Sequence, residues 1–231
     1  MSALSGKPER RAGFPLEPAG SRSQVSSGAG GGCLFFMILS HPIRQHIRAR
    51  RRELDPACRR AAAKAACKQL CSMNRFQNAQ RVALYLAADG ELDPLPVLER
   101  ACAMGKQCYL PVLHPVREKS LWFVRWQPGD VLYPNRYGIA EPRWKPQALV
   151  KSWALDFVLV PLVAFDAEGN RMGMGGGYYD RSFAWRFRRH CWKGPSLVGY
   201  AYELQKQERI KPSVWDVPLD AVVTENTVYM G

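Results

Sequence analysis

Residues 161–182 read PLVAFDAEGNRMGMGGGYYDRS, and the parsing of this stretch decides the fold. The apolar run Asp156-Phe-Val-Leu-Val-Pro161 that leads into it has the length and valine content of a buried strand. Asp166-Ala-Glu-Gly169 reads as a turn. Glycines follow at 173, 175, 176 and 177, and Tyr178-Tyr-Asp-Arg181 opens a helix expected to run to about His190. Strand, glycine loop and helix together form a local recipe for holding phosphate. Glycines let the backbone approach an anion and turn N–H groups toward it, and a helix start adds unpaired donors. Arg171 offers a fork of donors to phosphate oxygens. Asp180 is a hard oxygen ligand placed where a Mg²⁺ accompanying a nucleotide would sit. The loop is not a Walker A loop, because no Gly-Lys-Ser/Thr follows. Nor is it the dinucleotide fingerprint, because Tyr178 stands where the third glycine belongs.

Outward from the loop, strands and helices alternate, which predicts an α/β sheet sandwiched by helices. Upstream, Ile43 to Leu54 reads as a helix with Ile43, Ile47 and Leu54 on one face and Arg44, Arg48, Arg51 and Arg52 on another. Asp55-Pro56 caps a second helix reaching Met73. Val82–Ala87, Gln107–Val112 and Leu121–Trp126 read as strands. Asp93 is the expected N-cap of a helix from Leu95 to Met104, and His114 follows a strand end. Downstream, Leu197–Ala201 and Ala221–Thr224 read as strands. Between them Arg181, Arg186, Arg188, Arg189 and Lys193 interleave with Phe183, Trp185, Phe187 and Trp192, a mixture seen in nucleic-acid binders. The 183, 187 spacing is more simply the buried side of an amphipathic helix.

The chain's 231 residues with 47% apolar side chains are enough for one domain. A net charge of +13 favours an anionic partner without choosing among nucleic acid, membrane surface and polyphosphate. Seven cysteines with no Cys-x-x-Cys argue against a disulfide framework or a zinc site and for a reducing, cytoplasmic setting. Cys58, Cys67 and Cys71 are expected to be small buried residues. The run Cys33–Leu39 is too short to span a bilayer. Residues 1–39 are read as a disordered extension to a domain covering 40–231, with Met37 as the native start.

The run PLVAFDAEGNRMGMGGGYYDR resembles the signature of the 5-formyltetrahydrofolate cyclo-ligase family, and the likeness extends from about residue 40 to the C-terminus. It takes in Ala83–Asp93, Tyr109–Pro115, Val198–Ala201 and Trp215–Thr224, and it is nearest the bacterial branch. The resemblance implies a mixed, largely parallel sheet of the sugar-isomerase and CoA-transferase-like type. It implies ATP-dependent cyclisation of 5-formyltetrahydrofolate, with or without a polyglutamate tail, to 5,10-methenyltetrahydrofolate through an iminium phosphate. On this likeness Arg171 and Tyr178 are catalytic. ATP meets Ser40, Arg44, Arg171, Met172, Gly173, Met174, Gly175, Gly176, Gly177, Tyr178 and Tyr179. The folate meets Ala88, Asp93, Met174, Gly175, Gly176, Gly177 and Tyr178, and Mg²⁺ meets Asp180 and Asp220. The chain departs from the pattern at Ser40, where the family has a basic residue, and at Gly176, where some relatives have lysine. The expected partners are folate and ATP, without membrane or nucleic acid, for a monomer. The rival readings are a phosphosugar or CoA enzyme of the same fold and a nucleic-acid-binding module.

Overall fold

The structure, a computed structural model, describes residues 31–144, 146–188 and 194–231, with residues 31–40 and 188 described by their backbone. Helices α1 (Gly31–Glu53), α2 (Pro56–Ser72) and α3 (Asn74–Asn78) precede strand β1 (Arg81–Ala83). Helix α4 (Leu95–Ala103) leads to β2 (Gln107–Leu113), and β3 (Leu121–Trp126) returns beside it. The hairpin β4 (Leu132–Pro134) and β5 (Ala140–Pro142) and the short β6 (Leu149–Val150) lead to β7 (Phe157–Val160). A second hairpin, β8 (Ala164–Phe165) and β9 (Arg171–Met172), then delivers the glycine loop to α5 (Tyr178–Phe183). Strands β10 (Ser196–Tyr200), β11 (Ala221–Val223) and β12 (Val228–Met230) close the chain.

The sheet runs β12-β11-β10-β7-β1-β2-β3-β6. From β11 through β2 every pairing is parallel, while β12, β3 and β6 join antiparallel at the edges. This is the mixed, largely parallel sheet expected from the sequence. Successive strand residues supply two different cores, as the two-residue period of a strand requires. Val82, Phe157, Leu159, Val198 and Val223 pack with Leu70 of α2 and Val97 and Leu98 of α4 on one face. Ala83, Val158, Val160, Leu197 and Val222 pack with Phe183 of α5 on the other. Burial on both faces explains why these strands read as unbroken apolar runs. Asp55 caps α2 as expected, accepting from the N–H groups of Ala57 and Cys58 at 2.8 and 3.2 Å. Cys58 is exposed rather than buried, and it, Cys67, Cys71, Cys102 and Cys108 carry free thiols.

Three local readings change. Helix α1 begins at Gly31, so the boundary drawn at residue 40 falls inside a helix that continues through Pro42. The strong helix formers Leu34, Met37 and Leu39 extend it. The first thirty residues lie outside the described ones. The helix expected to reach His190 is six residues of α-helix, and Ala184–Arg188 tighten into a 3₁₀ turn. Trp185 anchors that turn by donating from Nε1 to Ser152 Oγ at 2.9 Å; Arg189, Trp192 and Lys193 lie outside the described residues. Strand β12 went unread because Thr224 Oγ1, accepting from the N–H groups of Asn226 and Thr227, reverses the chain locally.

Arg51 does not lie on a solvated arginine face. It is fully buried beneath Ile47, one turn along α1. The chain leaves β1 toward β2 on one side and returns to β7 on the other, so the strand order reverses between β1 and β7. Open α/β sheets bind ligands beyond the strand ends at such a reversal. Arg51 bridges the two segments that follow those strands, donating to Leu162 O at 3.2 Å and Asp89 O at 3.1 Å. Asp89 takes a left-handed backbone, φ 51°, and its carboxylate also accepts from Arg48 and Arg52. Burial opposes ionisation of Asp89, but these arginines outweigh it and hold the carboxyl below its ordinary range. Truncating Arg51 to Ala should cost about 3–5 kcal/mol, because buried acceptors lose their donor and Asp89 loses one cation. Urea unfolding checks this, and a loss below about 1 kcal/mol would contradict the bridging role.

Candidate functional site

The β8–β9 hairpin is built to present Arg171. At its tip the buried Asp166 carboxylate accepts from the N–H groups of Glu168 and Asn170 at 3.1 and 3.0 Å, and from that of Ile210 at 2.9 Å. Gly169 closes the turn at φ 82°, where a Cβ would stand 3.0 Å from Leu219 O. The Asp166–Gly169 turn read from the sequence is therefore a four-residue clamp between the hairpin and the 210–219 loop. Arg171 emerges from it buried, and both ends of its fork are engaged. Nη1 donates to Val217 O and Nη2 to Asp180 Oδ1. Asp180 Oδ1 also accepts from the Val217 N–H at 3.2 Å. Arg171 thus ties hairpin, loop and α5 together, rather than standing open to an anion.

The glycine loop hangs between these fixed points. Among the described residues, none accepts a hydrogen bond from the N–H groups of Gly173, Met174, Gly175, Gly176 or Gly177. Arg44 of α1 reaches the loop and donates from Nε to Gly173 O at 2.8 Å. Burial lowers its guanidinium pKa, against the pull of Asp216. A cavity of about 610 Å³ opens here, and Gly173, Gly175, Gly177, Arg44, Arg171 and Met172 form part of its wall. Arg181, Lys211, Asp180, Asp216 and Trp215 complete the part relevant to charge and stacking. Four cations against two carboxylates suit an anionic ligand. Trp215 is 59% exposed and offers an open ring face. The side chain of Ser40 lies outside the described residues.

Tyr178 reaches out of that cavity. Its hydroxyl accepts from Arg136 Nη2 at 2.8 Å and lies 2.7 Å from the Tyr137 hydroxyl, both on the β4–β5 hairpin. Burial pushes the phenol pKa up, but those two partners bring it below its ordinary value. Met174 is half-exposed. The loop therefore has two sides, one facing a cationic cavity and one meeting an aromatic hairpin. Arg136 and Tyr137 lie 41–42 residues from Tyr178 in the chain, so no local sequence signal joins them to it.

The acidic residues sort differently from the sequence reading. Asp220 is not among the cavity's lining residues. Its oxygens accept from the Arg186 fork at 3.1–3.3 Å and from the Leu197 N–H at 2.7 Å, so it pins the start of β10 to the 3₁₀ turn. Asp216 stands in the cavity instead. Burial raises its pKa; the Ser213 N–H counteracts this, and the Asp180 charge adds to it. Asp180 and Asp216 each keep one carboxylate oxygen without a hydrogen bond among the described residues. Mg²⁺ takes one or two carboxylates with phosphates and waters completing its shell, so these two residues fit it and Asp220 does not. No cluster of three acidic, His or Cys ligands occurs among the described residues.

The turn after β1 also redistributes roles. Asp93 is exposed and accepts from the Leu95 N–H at 3.0 Å, but the N-cap of α4 is Pro94, so Asp93 stands one residue before the capping position read from the sequence. Ala88 donates its N–H to Glu91 Oε2 at 3.1 Å. Neither Ala88 nor Asp93 lines the cavity. Glu91 is the residue the sequence reading missed; it lies in the acidic turn Ala88–Asp93, beside the buried Leu92. Burial pushes its carboxyl up to about 7, against the Ala88 N–H and the Arg51 charge, with Asp89 adding to the rise. Tyr179 shares this environment, and burial and Glu91 raise its phenol. His114 is structural. Its Nδ1 accepts from the N–H groups of Val116 and Arg117, and its ring packs 4.3 Å from Trp122.

Comparison with known proteins converges on one family. The sequence model of the 5-formyltetrahydrofolate cyclo-ligase family matches residues 40–225. The 5-formyltetrahydrofolate cyclo-ligase of Escherichia coli K12 is 40% identical over 184 residues, covering 79% of this chain and 98% of that protein. The Haemophilus influenzae enzyme of the same name is 36% identical, covering 77% and 92%. The solution structure of Aquifex aeolicus 5,10-methenyltetrahydrofolate synthetase superposes with a TM-score of 0.69 at 33% identity, over 83% of this chain and 92% of that one.

Glu91 makes stability depend on pH. Its folded-state value, about 7, lies above the 4.5 of an unfolded chain, so the folded state binds the extra proton between those limits. Stability from this group is present below pH 4.5 and is lost as pH rises through 7. Arg51 of α1, Asp89 and Tyr85 after β1, Tyr179 of α5 and Tyr202 surround it. Replacing Glu91 with Gln should raise stability relative to the parent by roughly 3 kcal/mol between pH 4.5 and 7.5. Urea unfolding across that range checks this, and a constant difference would refute it.

Proposed function

The chain belongs to the 5-formyltetrahydrofolate cyclo-ligase family, and on that premise we propose that it cyclises 5-formyltetrahydrofolate to 5,10-methenyltetrahydrofolate at the expense of ATP. The observation that carries the ATP half is the row of unpartnered loop amides, Gly173 to Gly177, in the wall of a cationic cavity. Those amides and Arg44 receive the terminal phosphates, and the open face of Trp215 suits a purine ring. The folate lies on the loop's other side, between Tyr178 with its hairpin partners and the Ala88–Asp93 turn. Glu91 is the carboxylate there with the burial to meet pterin N–H groups, while Asp93 is engaged by the Leu95 N–H.

The chemistry asks for positioning more than for a nucleophilic side chain. The formyl oxygen attacks the γ-phosphorus and ADP leaves, giving an iminium phosphate. N10 then attacks the iminium carbon and loses its proton, and phosphate departs with the former formyl oxygen. Both steps develop charge near the glycine loop, where fixed N–H groups and guanidinium groups are already oriented. Tyr178, held by Arg136 and Tyr137, presents a phenol oxygen whose position does not depend on substrate. Arg171 keeps Asp180 aimed. Mg²⁺, when bound at Asp180 and Asp216, neutralises phosphate charge. No described helix is long and apolar enough to cross a membrane.

Growth of the methenyl product's absorbance from 5-formyltetrahydrofolate should require both ATP and Mg²⁺. Asp180→Ala should lower kcat by about 100-fold or more. Asp216→Asn should raise the Mg²⁺ concentration needed for half-maximal rate by about tenfold, on the order of one lost ligand. Product formation without ATP, or a fully active Asp180→Ala enzyme, would sink the reading.

A further inference from the structure

Two cations in the cavity wall, Arg181 and Lys211, have no role in the scheme above. Arg181 lies in the first turn of α5, and its Nη1 donates to the carbonyls of Gly176 at 2.9 Å and Gly177 at 3.2 Å. Among the described residues no carboxylate pairs with it. Its Nε and Nη2 are without a partner there, although the residue is part of the cavity wall. Arg171 differs on each point, being buried with Val217 O and Asp180 on its two ends. Lys211 also lines the cavity, but no hydrogen bond among the described residues fixes it. His41 meets Gln45.

The loop itself is shaped for this arginine. Gly177 has φ 66°, and a Cβ there would come within 2.4 Å of Arg181 Nη1. Only a glycine leaves room for the guanidinium to lie along the loop. The Gly176 carbonyl would otherwise present its negative dipole end at the rim of an anion site, whereas Gly177 O also accepts from the Arg181 backbone N–H at 3.1 Å. The Arg181 guanidinium covers the Gly176 carbonyl and turns that rim into a donor surface. Because the same bonds hold the group in place, little side-chain freedom is lost when a ligand arrives.

We propose that Arg181 is the phosphate-gripping arginine of the glycine loop, binding the terminal phosphates of the nucleoside triphosphate, while Arg171 is a positioning residue for Asp180. This rests on the nucleotide reading given under Proposed function.

Arg181→Gln and Arg181→Lys test it, with thermal unfolding to establish that each variant is folded. In the parent enzyme, inorganic tripolyphosphate should compete with MgATP. In Arg181→Gln the KM for ATP should rise roughly 10- to 100-fold, the worth of one or two charge-assisted hydrogen bonds. The inhibition constant of tripolyphosphate should rise by a similar factor. Inhibition by adenosine and the KM for 5-formyltetrahydrofolate should stay within about twofold, and Arg181→Lys should fall between parent and Gln. Unchanged ATP and tripolyphosphate constants in a folded Arg181→Gln enzyme would overturn the assignment. So would an equal loss for adenosine, which would make Arg181 a general scaffold residue. A parent enzyme that turns over without ATP, or that tripolyphosphate does not inhibit, would remove the nucleotide reading and this assignment with it.

Discussion

The site depends on one buried guanidinium. Arg171 joins a hairpin, a short helix and the 210–219 loop through Asp180 and the Val217 carbonyl, and it is nearly inaccessible to water. A buried ion pair of this kind adds little net stability, because desolvation offsets most of the attraction. What it contributes is position. With Arg171 fixed, both ends of the glycine loop are fixed, and the loop can remain short, with Met174 as its one side chain between Gly173 and Gly177. The amides then need no partner of their own, since the loop's course is set by its ends.

Around that anchor the loop divides two chemistries that must meet without mixing. On one side stand Arg44, Arg181, Asp180 and Asp216, all suited to phosphate and a divalent cation. On the other stand Tyr178, Arg136 and Tyr137. A backbone of glycines is the thinnest partition a protein can build. On the function proposed here, that thinness would let an oxygen on one side approach a phosphorus on the other.

Much of this was legible in sequence. The sheet was readable because its central strands are apolar runs of four or five residues, and the glycine loop because its composition is extreme. The capping role of Asp55 followed from its place before a helix. What was hidden involved long-range partners. Arg51 looked like one more arginine of a basic face, and only the strand-order reversal reveals why it is buried. Asp216 and Asp220 are four residues apart, and nothing local says which one faces the cavity. The Arg186 fork decides it, from 34 residues away. Arg181 was visible as part of a motif, but its docking on two carbonyls depends on the left-handed backbone of Gly177.

The clasp of α1 on the loop has a consequence for biosynthesis. Arg44 and Gly173 are 129 residues apart, and Arg51 and Leu162 are 111 apart. A ribosome adds that span in on the order of ten seconds, during which the first helix has left the tunnel with neither partner yet made. Ile47 and the arginines beside it must wait in water, or on a chaperone, until the second half arrives. The enzyme's opening segment is thus among the last to find its place, and a stalled or truncated chain would carry it exposed.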